Sequence, residues 1–510
     1  MFNLKKTIFI KNAVILTVSS LLLRFAGIIF KVWLADNIGA EGIGLYQLIF
    51  SVYMLAATFA TSGISTAVTR LCADELALGR ENGVKRILFK SLKLTFLIAI
   101  ISSFLLFFGA ETISKVFLSD IRAVTAIKIL SFSLPFMGFA SCFKGYFIAR
   151  RKASPTAFSQ ILEQIIRILL VMTLVLKFSS HGLEKTCAAV LFGDTVAELC
   201  SSVFLWLLYI RDKKNIRLLS GRSYPPFNIT KEIVRIALPI TSGRYLNTLL
   251  RTAENILVPK SLSKYPLASQ NALSLFGMIK GMALPILFFP STLLNALSTL
   301  LIPEMSEAAT LGRKALVKDA VTRILQITAL ISFIFSGIFL VCGQKIGILI
   351  YKSEDVGYLL KMLSPIVPLM YLDSVSDGIL KGLDQQLFTF RTALFDSAIR
   401  IILVIFILPR AGLLGFIGIM YFSNLLTCML NVGRLLKVSG GILKPLKTVF
   451  LPFLSAIMIT ALTDSILSKI NAFSNLVYIT LVLIISITSY IAVLFAIKSI
   501  STDEIRDVIR

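Results

Sequence analysis

Seven cations and seven carboxylates sit inside stretches otherwise apolar enough for lipid. They are Arg24, Lys144, Arg167, Arg244, Arg251, Lys280 and Arg400, against Glu163, Asp194, Glu198, Glu254, Asp373, Asp377 and Asp396. A charge at bilayer depth costs about 2.5–3.5 kcal/mol on insertion scales, so each needs a partner, a wet cavity or a charged ligand. Glu163 with Arg167, and Asp396 with Arg400, are i,i+4 pairs on one helix face. An architectural pair is the first reading of each, a gate in transport the second. Arg251 and Glu254 are three apart, which allows partial local neutralisation. Arg24, Arg244 and Lys280 have no acid three or four positions away. Arg244 and Arg251 are seven apart, two helical turns, and so project from one face. Lys280 stands beside "GMALPILFFP", where Pro285 and Pro290 should bend the helix. The cations point to a positively charged cavity; salt bridges to Asp194, Glu198, Asp373 or Asp377 are the alternative.

The elements that carry these charges follow from composition. The 510 residues are 56% hydrophobic and 15% charged, with mean hydropathy +0.86, which places the chain among integral membrane proteins. Apolar runs near 20 residues long, without ten-residue alternation, predict helices and not a barrel. Fourteen spans are expected, at 12–34, 43–66, 86–108, 125–149, 157–178, 185–210, 231–258, 272–297, 318–343, 359–380, 387–408, 412–435, 446–468 and 475–498. Most of the 52 Lys and Arg residues lie at the termini and in every second loop. The net charge of +25 therefore reads as topology, with both termini cytoplasmic in a multi-pass protein of the cell membrane, and not as a nucleic-acid surface. The basic, apolar start lacks a small-residue cleavage site and is read as a retained first helix.

Other chemistries find little footing. The six cysteines are scattered without CxxC spacing and read as small apolar residues, and His181 is the only histidine. Neither a metal site nor a cofactor is expected. There is no GxxxxGK[ST], hence no P-loop nucleotide site. The expected outer loops are too short to carry a catalytic constellation, so an enzyme is not expected. "NIT" (228–230) falls in a loop assigned to the cytoplasm and is discounted as a glycosylation acceptor.

A shift of 233 residues exposes a duplication. "KILSFSLP" (128–135) falls on "KMLSPIVP" (361–368), "EQIIRILLV" (163–171) on "DSAIRIILV" (396–404), and "LGR" (78–80) on "LGR" (311–313). The offset spans six helices, an even number, so the copies share one orientation, the parallel repeat of a two-lobed transporter. The expected organisation is an N-lobe at 1–210, a cytoplasmic linker at 211–230, a C-lobe at 231–437, and two further helices with the C-terminus at 438–510. Lys144 and Asp377 occupy equivalent positions, so a gate or latch between the lobes is one possible use of them.

"LLLRFAGIIFKVWLADNIGAEGIGLYQLIFSVYMLAATFATSGISTAVTRLCADELALGR" (21–80) and "ALPITSGRYLNTLLRTAENILVPKSL" (237–262) resemble the polysaccharide-transport family of the multidrug/oligosaccharidyl-lipid/polysaccharide exporter superfamily. Within it, the chain is similar to a sporulation group related to the lipid II flippase of cell-wall synthesis. The resemblance implies a flippase moving an undecaprenyl-pyrophosphate-linked saccharide, a cell-wall or spore-cortex precursor, by alternating access. It also implies a cavity lined by helices 1, 2, 7 and 8, and a lipid-tail groove formed by helices 13 and 14. Arg24 matches the family's helix 1 arginine, Arg244 and Arg251 match its helix 7 region, and Glu254 stands where an aspartate is common. Guanidinium forks suit phosphate oxygens bidentately, so Arg24, Arg244, Arg251 and Lys280 become the expected headgroup ligands. Expected partners are the lipid-linked saccharide, membrane lipid, a coupling ion or the membrane potential, and cell-wall synthases. A cation-coupled drug exporter and a non-transporting assembly scaffold are the competing readings.

Overall fold

Glycines break these helices where the spans were expected to end. The computed structural model describes residues 2–61, 63–214, 228–266, 271–442, 446–469 and 474–497. Its first helical run, α1 (Phe2–Thr61), is interrupted at Gly39, φ 71° and ψ 176°, between the first and second expected spans. The run Gln386–Ser439 is interrupted in the same way at Gly412, φ 53°. Only a residue without Cβ adopts these angles without strain. Seven further helices complete the first half of the chain: α2 (Ile64–Ala77), α3 (Glu81–Thr112), α4 (Ala123–Ser131), α5 (Leu134–Ala149), α6 (Ser154–Phe178), α7 (Leu183–Lys214) and α8 (Ile229–Leu262). The stretch around Lys280 is a π-helical turn, Gly277–Ala283, between the short helices Ala272–Phe276 and Leu284–Phe288, and it lies before Pro285 and Pro290.

The protein is an all-α integral membrane protein, with no strand among the described residues. Among the described residues, seven helices are long and apolar enough to cross a membrane, or eight if α4 and α5, bent by 42°, form one crossing. Each of the fourteen expected ranges falls largely on helix, although several of these helices are interrupted. Large apolar side chains face outward along them, for example Leu105 (69% exposed) and Phe108 (70%). In water such a surface would drive aggregation; in a bilayer it is the lipid-facing side.

The duplication is written into the backbone. Among the described residues, the four non-glycine residues with left-handed φ fall into two pairs, Ser119 with Lys352 and Arg151 with Asp384, each 233 apart. The "LGR" turns agree in detail. Gly79 and Gly312 have φ 70° and 68°, and Arg80 N and Arg313 N each donate over 2.9 Å, to Glu75 O and Ala308 O. The helices that follow start at Glu81 and at Lys314, again 233 apart.

The chain divides into two compact units, Met1–Lys260 with Asn271–Ser274, and Ser261–Gln270 with Leu275–Arg510. Helix α8, assigned from sequence to the second lobe, clusters with the first unit. Of the expected linker 211–230, residues 215–227 lie outside the described residues, as do 498–510 of the expected C-terminus.

In the first unit a core of α2, α3 and α5, including Val68, Cys72, Leu88, Phe143 and Tyr146, also holds Ile233 and Ala237 of α8. All six cysteines are free thiols, five of them buried. Gly63, φ 76°, separates α1 from α2, and a Cβ there would lie 2.4 Å from Ala237 O. Gly63→Ala should therefore destabilise the unit by at least the left-handed penalty of about 1–2 kcal/mol. A lowered melting temperature of the detergent-solubilised variant checks this; an unchanged one refutes it.

Candidate functional site

Two helix faces with matching spacing line an open cavity inside the first unit. On α1 the lining residues are Met54, Ala57, Thr58 and Thr61; on α8 they are Arg244, Asn247, Thr248 and Arg251. Both sets run i, i+3, i+4, i+7, the spacing of a single helix face. Met137 and Ser141 of α5 and Ser65 of α2 close the wall. The volume is about 460 Å³, within the usual range for small-molecule sites.

Polar contacts fix these faces against one another. Thr252 Oγ1 donates to Ser51 O over 3.0 Å, and the Thr58 and Thr248 hydroxyls lie 3.4 Å apart. Phe59 and Tyr245 meet edge to face at 5.7 Å. On the α5 side, Gly145 lets its helix approach Ser65 O closely, and Thr69 Oγ1 donates to Gly145 O over 3.1 Å.

Most hydroxyls in the lining are already committed. Thr58, Thr61 and Thr248 donate to the carbonyls of Met54, Ala57 and Arg244 over 2.7, 2.8 and 2.9 Å. The donors open to a ligand are the Arg244 and Arg251 guanidiniums and the Asn247 amide. The Ser141 hydroxyl adds one, being buried and without a hydrogen-bond partner among the described residues. Among the described residues, no carboxylate lines the cavity. Two guanidiniums facing a polar space with no acid make an anion site.

The expected local pairing of Arg251 with Glu254 is not formed. Glu254 is buried at 4% exposure, whereas Arg251 points to the open side of the helix and makes no ion pair among the described residues. Arg24 is exposed on α1, beside the exposed Leu22 and Phe25. It has no ion pair among the described residues and does not line this cavity. Lys280, half-buried in its π-helical turn, belongs to the second unit and does have an interaction partner.

The remaining deep charges group differently from what spacing alone indicated. Arg167 reaches Glu163 at 2.9 Å on its own helix, and its Nε lies 2.8 Å from Asp194 of α7. Gly193 permits that approach, since a Cβ there would stand 2.6 Å from Val171 Cγ2. Beside this pair, Tyr53 OH contacts Glu198 at 3.3 Å and Met137 Sδ at 3.6 Å, so the cluster sits one residue behind the cavity wall. Lys144 is half-buried and makes no ion pair among the described residues. In the second unit, Arg400 and Asp396 are 3.9 Å apart, and Asp396 accepts from Ser423 over 2.6 Å. Asp373 accepts from Asn431 over 2.7 Å, and Asp377 is held by Lys381 one turn along its own helix.

Residues 9–309 match the family described as polysaccharide biosynthesis protein, more than half of the chain. The chain belongs to the polysaccharide biosynthesis protein family. A Bacillus subtilis relative, stage V sporulation protein B, is 26% identical over 509 residues, covering 98% of both chains. The lipid II flippase MurJ of the same organism is 23% identical, covering 88% of this chain and 87% of its own. Among solved structures, lipid II flippase MurJ in an inward closed conformation superposes with a TM-score of 0.70 at 14% identity, over 97% of this chain and 99% of that one. That likeness shows a shared fold.

In this polysaccharide biosynthesis family member, sequence reasoning overlooked the neutral lining, namely Thr58, Thr61, Ser65, Ser141, Asn247 and Thr248. A signal for the α1 and α8 faces was present. Polar residues recurring at three- and four-residue steps in an apolar helix mark a face that does not meet lipid.

Proposed function

We propose that this chain is a flippase for a lipid-linked saccharide, carrying its anionic headgroup across the cytoplasmic membrane. The observation that supports it most is the cavity lining, with two guanidiniums and, among the described residues, no carboxylate. A pyrophosphate crossing hydrocarbon must exchange its water for equally strong donors, and arginine forks supply them. The relatives' names, a lipid II flippase and a sporulation protein, fit a lipid-linked substrate, and in this reading the substrate is an undecaprenyl-pyrophosphate-linked cell-wall or spore-cortex precursor. A drug exporter taking cationic substrates needs acids where this cavity has arginines. The test is translocation of a labelled undecaprenyl-pyrophosphate saccharide in vesicles reconstituted with the purified chain. Protein-dependent movement supports the reading, and its absence in vesicles holding folded protein overturns it.

Arg24 is exposed, and no acid neutralises it among the described residues. It serves the same headgroup in this reading. Arg24→Ala should lower translocation at least about tenfold, the loss of one charge-assisted hydrogen bond of about 1.5 kcal/mol or more. The melting temperature should not move, because the side chain is exposed and holds no ion pair among the described residues; wild-type transport in this variant removes Arg24 from the role.

The chain has no P-loop motif, and in this reading the transmembrane potential or an ion gradient drives net transport. Each elementary charge moved across the membrane gains about 2.3 kcal/mol per 100 mV. Collapsing both gradients should abolish accumulation against a concentration difference. Undiminished accumulation refutes that coupling.

A further inference from the structure

One stripe along α3 changes chemistry without changing face. Its exposed residues run Arg86, Lys90, Lys93, then Leu97, Ile101, Phe104 and Phe108, in steps of three and four. Their neighbours Val84, Ile87, Leu88 and Ser91 are buried. With its π-helical extension to Leu118 the helix has 38 residues, about 57 Å at 1.5 Å per residue, well beyond the ~30 Å hydrocarbon core. Residues 94–110 carry no charge, and they span about 25 Å. Lys93 therefore marks the edge of the apolar zone, and Arg86 and Lys90 lie at headgroup level beyond it.

These cations are not neutralised by carboxylates among the described residues. At the same end of the unit, Arg150 is held by Glu81 at 2.9 Å and by Asp212 at 3.1 Å, and Lys152 by Asp212. Arg86, Lys90 and Lys93 make no ion pair among the described residues, and no acid lies between 82 and 110. Lys93 Nζ instead lies 4.7 Å from the Phe89 ring, one turn toward the start of the helix. A lysine at the border of the apolar zone reaches back in this way toward the polar layer.

The architecture does not impose the stripe. At the equivalent positions of the second copy, 233 residues on, stand Asp319, Arg323 and Gln326. Arg323 and Gln326 are half-buried there and have partners. The N-terminal copy alone presents on this stripe three exposed cations that make no ion pair among the described residues.

We propose that Arg86, Lys90 and Lys93 form a binding site for the phosphate headgroup of an anionic phospholipid, whose acyl chains lie along Leu97, Ile101, Phe104 and Phe108. Three cations converge on one phosphate layer, and the apolar continuation of the same stripe holds the tails. The site is separate from the transport cavity and does not depend on the proposed substrate.

The full chain, purified from vesicles of phosphatidylcholine mixed with phosphatidylglycerol, is washed in detergent and its retained lipid measured by mass spectrometry. Wild type should keep phosphatidylglycerol over phosphatidylcholine, with retention falling about fivefold for each cation neutralised. R86Q/K90Q/K93Q should lose the preference with its melting temperature in lipid-free detergent unchanged, and R86K should keep it. A wild type without preference, or a triple variant that keeps it, overturns the proposal. Retention of polyprenyl phosphate in place of phosphatidylglycerol, abolished by the same triple variant, overturns it too, by making the stripe a substrate contact.

Discussion

Transport of a lipid-linked saccharide should fall more than about a hundredfold when Arg244 and Arg251 are both replaced by alanine. The expectation rests on the cavity, where the two guanidiniums are the only charges in the lining among the described residues and most neighbouring hydroxyls are bound to their own helices. A hydrogen bond to a charged group contributes about 1.5–3 kcal/mol, so each single variant should lose about tenfold or more. Folding should be untouched, because both side chains are exposed and neither holds an ion pair among the described residues. Arg→Lys changes should recover part of the loss by restoring charge without the fork. The measurement is the initial rate of labelled-lipid translocation at matched protein density. Near wild-type rates in the double variant would show that the headgroup does not use this cavity.

Arg167→Ala should damage folding and not transport chemistry. Arg167 is the shared cation of Glu163 and Asp194, at 2.9 and 2.8 Å, and Asp194 is 6% exposed. Removing one partner of a buried ion pair leaves its counter-charge stranded, at a cost of about 3–5 kcal/mol. Arg400→Ala, at the equivalent position of the second copy, should lose less, because its pair with Asp396 spans 3.9 Å and Ser423 already supports that carboxylate. Melting temperature and monodisperse yield after detergent extraction should thus rank wild type above Arg400→Ala, and Arg400→Ala above Arg167→Ala. The reverse order would refute the difference drawn between the two sites.

Local geometry made part of this molecule legible in its sequence. The i,i+4 pairs Glu163–Arg167 and Asp396–Arg400 follow from helical spacing, and both are present in the structure. The shared face of Arg244 and Arg251 has the same origin. Arg251 with Glu254 shows where spacing fails. The three-residue step permits contact, but burial draws Glu254 inward and leaves Arg251 at the cavity. The partnership of Arg167 with Asp194 was equally out of reach, because those residues are 27 positions apart and meet only where Gly193 lets α7 close on α6.

By itself the sequence determined the solvent, the class of element and the duplication, since hydropathy, apolar run length and a fixed offset are properties of the linear chain. Paired left-handed residues 233 apart show the same repeat in the backbone. Only the tertiary structure decided which deep cations are spoken for and which face open space. A charge in an apolar helix can be neutralised by its own turn or by another helix, and the distance to another helix is set by packing. That packing gives Asp194 to Arg167 and leaves Arg244 and Arg251 to the cavity.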